Sequence, residues 1–129
     1  MHYRMIVAGG RDFTDEKYLE ESLDSLREEY IDIEIISGHA NGTDSLAEEY
    51  AKRIGLELKI FPADWQKYGR AAGPIRNRQM LQYIREGNPL VVAFWDGQSR
   101  GTKNMIEQAQ KADIECKVFM YPPKDKQSS

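Results

Sequence analysis

Five short apolar runs alternate with longer stretches of helical period, and that alternation limits the chain to very few architectures. The runs fall near residues 3–8, 33–36, 57–61, 90–95 and 115–120. Runs this short read as buried strands, and strands that alternate with helices read as a parallel sheet covered on both faces. Between them, Leu19, Leu23, Leu26 and Tyr30 recur at helical spacing, as do Leu46, Ala47, Tyr50, Ala51 and Ile54. Met80, Leu81 and Ile84 mark a third helix within 73–86, and Ile106, Ala109 and Ala112 a fourth within 101–112. Gly55 and the Gly87-Asn88-Pro89 cluster are suited to stopping helices. Thr14 before Asp15-Glu16, and Thr43 before Asp44, supply a capping hydroxyl and acids for a helix start. The expected fold is a single-domain, three-layer α/β fold over 1–121 with a mainly parallel sheet of about five strands. Residues 122–129, Pro-Pro-Lys-Asp-Lys-Gln-Ser-Ser, are expected to form a disordered tail.

Composition narrows the function classes. At 129 residues and 40% hydrophobic, the chain can bury one substantial core and not two. A net charge of −3 and a pI near 5.4 argue against a general grip on duplex nucleic acid, which needs a basic face. Cys116 is the single cysteine, so an internal disulfide and a cysteine-rich zinc site are both excluded. No apolar stretch approaches the roughly 20 residues of a membrane span, and no charged-then-apolar leader precedes the first strand. A cytoplasmic protein with no membrane partner is the expectation.

In a parallel sheet with helical crossovers, every strand-to-helix loop emerges at the carboxyl edge. Four loops of unusual composition must then meet: Gly9–Asp12, Ser37–Asp44, Asp64–Trp65 and Asp96–Lys103. Glycines such as Gly9, Gly10, Gly38, Gly42, Gly97 and Gly101 let backbone approach a ligand, and helix starts offer free N–H groups. Ser37, Ser99, Thr43 and Thr102 add hydroxyls. Arg11, Arg76 and Arg100 suit bidentate contact with phosphate or carboxylate, whereas Arg70 and Arg78 read as solvated surface. Asp12, Asp44, Asp64 and Asp96 can accept from ribose hydroxyls, and Trp65 can stack on a base. Trp95 closes an apolar strand and reads as core. The combination points to a pocket for a nucleotide-type anion.

Sharper motifs fail. Gly97-Gln-Ser-Arg-Gly101 has the form of a nucleophile elbow, but no histidine follows Ser99, since the only histidines are His2 and His39. Ser37–Asp44 lacks the Gly-Lys-Ser/Thr ending of a Walker A loop, and Gly9-Gly10-Arg11 lacks dinucleotide-fingerprint spacing. A transition-metal site has little support, so no metal ligand is assigned. No cofactor is required, and Mg²⁺ carried with a nucleotide is compatible with the pocket.

Five ordered motifs are Gly9-Gly-Arg-Asp-Phe13, Ser37-Gly-His-Ala-Asn-Gly-Thr-Asp44, Phe61-Pro-Ala-Asp-Trp65, Ala72-Gly-Pro-Ile-Arg-Asn77 and Phe94-Trp-Asp-Gly97 with Ser99-Arg-Gly-Thr-Lys103. In these the chain resembles the YspA-like DUF2493 proteins of the SLOG superfamily, over nearly all of 3–120. The resemblance implies a Rossmann-like fold, a SLOG-like nucleotide-binding domain over 1–121, and a site that includes Asn77. Related members include lysine-decarboxylase-like phosphoribohydrolases and DprA-like proteins that bind single-stranded DNA. Gly101-Thr102 is similar to the Gly-Thr of the hydrolases' Gly-Gly-x-Gly-Thr-x-x-Glu motif. Their glutamate falls where this chain has Met105, which cannot act as acid or base, so enzymatic activity is left undecided.

The leading expectation is a module that senses or sequesters a nucleotide-derived phosphorylated small molecule. An N-glycosidic phosphoribohydrolase, or other nucleotide-processing enzyme, is the alternative, with single-stranded DNA binding behind it because the acidic balance disfavours a nucleic-acid partner. An exposed apolar helix face would suit a homo-oligomer.

Overall fold

Alternation along the strands decides the layers. Met5 and Val7 lie on one side of the first strand and Ile6 on the other. Ile33 and Ile35 oppose Ile36 in the second, and Leu90, Val92 and Phe94 oppose Val91 in the run near 90–95. A computed structural model describes residues 1–123. Its elements are β1 (His2–Gly9), α1 (Glu16–Glu29), β2 (Asp32–Ser37), α2 (Thr43–Ile54), β3 (Glu57–Ile60), α3 (Trp65–Tyr68), α4 (Ala72–Arg85), β4 (Asn88–Trp95), α5 (Arg100–Lys111) and β5 (Cys116–Met120). A 3₁₀ turn, Gly69–Ala71, joins α3 to α4.

One side of the sheet packs on Leu19 and Leu23 of α1 and on Ala47, Tyr50 and Ala51 of α2. The other packs on Met80, Leu81 and Ile84 of α4 and on Met105 and Ala109 of α5. Each of the leucine, isoleucine and methionine side chains contributes roughly 1.5–3 kcal/mol when fully buried, and the alanines less. Burial on both faces is why β1, β2 and β4 carry consecutive buried apolar residues, whereas the edge strand β3 alternates, with Glu57 and Lys59 exposed. The result is the expected three-layer α/β fold, and its five strands are all parallel.

The strand order is β3-β2-β1-β4-β5. The chain builds outward from β1 to β3, then returns to the other side of β1, so the crossovers reverse between β1 and β4. A crevice must open above the carboxyl ends of those two strands, where the flanking loops diverge to opposite faces.

Several boundaries differ from expectation, each for a local reason. Strand β4 starts at Asn88 and includes Pro89, which the sequence suggested as a helix stop. Proline is tolerated there because it sits at the beginning of the strand. Helix α1 is capped by Asp15, whose carboxylate accepts from the Tyr18 amide at 3.1 Å, and Thr14 falls outside. Gly42, with no side chain, precedes α2. The Thr43 hydroxyl does not cap that helix and instead donates to the Gly10 carbonyl at 3.0 Å. Part of the expected tail, from residue 124 on, lies outside the described residues. Among the described residues no helix is long and apolar enough to cross a membrane.

Candidate functional site

The crevice is a cavity of about 620 Å³ over the ends of β1 and β4. From the loop after β1, Gly9, Gly10, Arg11 and Asp12 line it, and Asp44 enters from the first turn of α2. Trp65 and the start of α4, with Arg76 and Asn77, form a second wall. Asp96, Ser99, Arg100, Gly101 and Thr102 form the third, where β4 passes into α5. Two of the four loops thus converge through most of their expected residues, the Ser37–Asp44 loop contributes Asp44, and the Asp64–Trp65 loop contributes Trp65.

Six expected residues stand apart from this cavity. Ser37 and Thr43 are fully buried, and their hydroxyls bond to Glu48 and to the Gly10 carbonyl. Asp64 caps α3 by accepting from the Lys67 amide at 3.1 Å. Gly97 turns the chain before α5 at φ 83°. Gly42 packs against the Gly10 and Arg11 carbonyls, and Gly38 against the Arg76 guanidinium. A Cβ on Gly9 would likewise collide with Thr43 and Phe94, and one on Gly10 with the Tyr121 hydroxyl. The close approach these glycines permit is therefore chain on chain. Gly101 is the exception, with open space where its Cβ would be.

Arg76 is the hinge of the electrostatics. Its Nη1 donates to the Gly38 carbonyl and its Nε to Asn77 Oδ1 at 3.1 Å. Burial pushes this guanidinium below its ordinary value; Arg11 pushes the same way, and Asp44 opposes both. Asn77 Nδ2 donates to Asn104 Oδ1 at 3.0 Å and to the Gly101 carbonyl at 3.3 Å, which ties α4 to the start of α5. Asp44, buried, is pushed up to about 6 by desolvation, against the pull of the Ala40 amide it accepts from and of Arg76. Asp96 stiffens its own loop, since one carboxylate oxygen accepts from both the Gln98 and Ser99 amides at 2.8 Å. Trp95 Nε1 donates to the Ser99 carbonyl at 3.1 Å, so this half-buried indole also serves the loop.

Some lining residues escaped the sequence reading. Arg70, assigned there to solvated surface, lines the cavity from the 3₁₀ turn, and Asn104 and Gln98 line it as well. His39 and Glu48 form a second group beside it, with His39 Nδ1 at 3.0 and 3.1 Å from the two carboxylate oxygens. At the opposite edge, His2, Glu34 and Glu57 each bring one ligand atom within 4.8 Å of the others, but Glu34 is already held by Tyr83 and Arg4.

The sequence pattern of the YspA, cpYpsA-related SLOG family matches residues 3–68, about half of the chain, spanning the first two of the converging loops and Trp65. The chain belongs to the YspA, cpYpsA-related SLOG family. This SLOG chain is 31% identical over 117 residues to the Gene 61 protein of Mycobacterium phage D29, which covers 86% of the chain and 91% of that protein. Its backbone is similar to the X-ray structure of DNA processing protein A (DprA) from Streptococcus pneumoniae, with a TM-score of 0.70 at 19% identity. That likeness covers 95% of this SLOG chain and 51% of DprA, so the chain spans about half the length of that protein, and the agreement is one of fold.

Proposed function

We propose that this SLOG protein binds a nucleotide-derived phosphorylated ligand in the cavity above β1 and β4, as a sensing or sequestering module. One observation carries the reading: Arg11, Arg70, Arg76 and Arg100 converge on one cavity at the switch point of an acidic chain. Its volume is within the range of small-molecule sites, about 300–1,000 Å³. Asp12 and Asp96 are the acceptors for sugar hydroxyls, and the half-exposed Trp65 is the flat surface for a base. Mg²⁺ would enter only with the ligand's phosphates.

Calorimetric titration with AMP, ADP-ribose and a single-stranded oligonucleotide tests this. Arg100→Ala is expected to weaken nucleotide binding about tenfold, the value of one charge-assisted contact, with unchanged circular dichroism. Absence of binding by both nucleotides removes the reading. Oligonucleotide binding alone would transfer the site to single-stranded DNA, the alternative that the resemblance in sequence to DprA-like proteins raises.

A second reading draws on Asp44. A buried carboxyl pushed up to about 6 in a ligand-sized cavity is suited to general acid–base work, including N-glycosidic hydrolysis. Base release from nucleoside monophosphates, lost in Asp44→Asn while binding persists, would favour the enzyme; binding without release favours the sensor.

A further inference from the structure

Beside the main cavity lies a smaller one of about 300 Å³, and the two share Arg11, Ala40, Trp65 and Arg76 as a common wall. Their charge differs. Asp12, Asp44 and Asp96 line the larger lobe, whereas among the described residues no carboxylate lines the smaller, which is bounded by Arg11, Arg76, His39 and Asn41. Both guanidiniums border the smaller lobe, and the repulsion that Arg11 exerts on Arg76 is offset by Asp44, which lines the larger lobe only. An anion bound in the smaller lobe would find both cations and no competing acid in the lining.

His39 is built into this lobe by the chain beneath it. Glu48, whose side chain is 8% exposed, accepts from His39 Nδ1 and from the Ser37 hydroxyl at 2.7 Å. The Ser37 hydroxyl in turn accepts from the His39 amide at 3.1 Å. With the proton of Nδ1 directed to Glu48, Nε2 has no partner among the described residues. The residue also holds φ at 60°, in the left-handed region that non-glycine residues rarely adopt. A strained, exposed imidazole fixed by a buried carboxylate at the rim of a cationic lobe is an arrangement for meeting a ligand.

We propose that the smaller lobe seats a phosphate-type anion between Arg11 and Arg76, with His39 Nε2 as its third contact, and that the larger lobe takes the rest of the ligand, its sugar and base together with any second phosphate at Arg100. This places the phosphate away from the Gly42-Thr43 helix start, where the Thr43 hydroxyl is already committed to the Gly10 carbonyl. The assignment of the larger lobe rests on the nucleotide-binding reading; the anion seat does not.

The chain has two histidines, and His2 lies at the opposite edge of the sheet beside Asp32, so it serves as an internal control. Ring-proton NMR is recorded while sodium sulfate, a tetrahedral dianion with no proton to exchange near neutral pH, is added against sodium chloride of equal ionic strength. The expected result is a saturable shift of the His39 ring with His2 unmoved, and at least about a tenfold loss of apparent affinity in Arg11→Gln. A His39 shift no larger than that of His2, an equal shift in chloride, or full retention in Arg11→Gln overturns the proposal. If AMP binds by calorimetry while sulfate leaves His39 unmoved, the anion seat is wrong and the nucleotide reading survives. If sulfate moves His39 and no nucleotide binds, the reverse holds.

Discussion

Asp44 is a carboxylate whose ionisation the fold opposes. Its value rises from 3.8 to about 6, chiefly through burial, so the folded chain holds this proton more tightly than the unfolded chain. Stability from this group is therefore full below about pH 4 and is lost as pH rises through about 6, by an amount on the order of 2–3 kcal/mol. Asp44→Asn keeps an oxygen for the Ala40 amide and removes the ionisation. Urea unfolding should show the wild type losing stability relative to the variant across that interval, and parallel profiles would mean that Asp44 ionises without penalty. Met105 gives the complementary case. It is fully buried against the sheet, among Met80 and Ala109, where the related hydrolases carry glutamate. Met105→Glu should thus cost about 3 kcal/mol or more in a denaturant titration and generate no base-releasing activity, because the new carboxylate would be buried without a partner. Residue identity at such positions was legible from sequence, but burial was not. Ser37 and Thr43 read as ligand hydroxyls because they flank a glycine-rich loop at a helix start, a pattern that does not fix which way a hydroxyl points.

At the scale of elements, the long helices and the strands announced themselves through spacing, whereas α3 did not. Four residues from Trp65 to Tyr68 carry no period, and with that helix and its 3₁₀ turn unseen, Arg70 had no reason to be placed at the site. The loops raise a second point, since their glycines had two readings that sequence cannot separate. Gly42 has φ 73° and a Cβ direction blocked by the Gly10 and Arg11 carbonyls. Gly55 has φ 77° with nothing within 4 Å. Gly55→Ala should cost about 1 kcal/mol, the conformational term alone. Gly42→Ala adds a backbone collision and should cost at least about 2 kcal/mol more, read from urea midpoints. Equal losses would mean that the β1–α1 loop yields easily and does not brace the start of α2.

The molecule as a whole is one sheet with two independent packing faces and one shared rim. Sequence made the parallel sheet and its carboxyl-edge loops visible, because short doubly buried strands and helical crossovers leave little alternative. It did not give the order β3-β2-β1-β4-β5, since register between strands is not written in any single apolar run. That order matters because it sends α2 to one face and α5 to the other while both begin at the same cavity. A ligand held by the rim therefore contacts both layers at once. Binding to the folded state alone adds about 2.7 kcal/mol when free ligand is a hundredfold above Kd. If AMP bridges the faces, hydrogen exchange should slow at the amides of Thr43–Leu46 and of Arg100–Lys103 together, and by similar factors, although these segments belong to separate core clusters. Protection confined to Arg100–Lys103 would show instead that the ligand is held by the β4–α5 loop alone, leaving the convergence of the other loops without a part in binding.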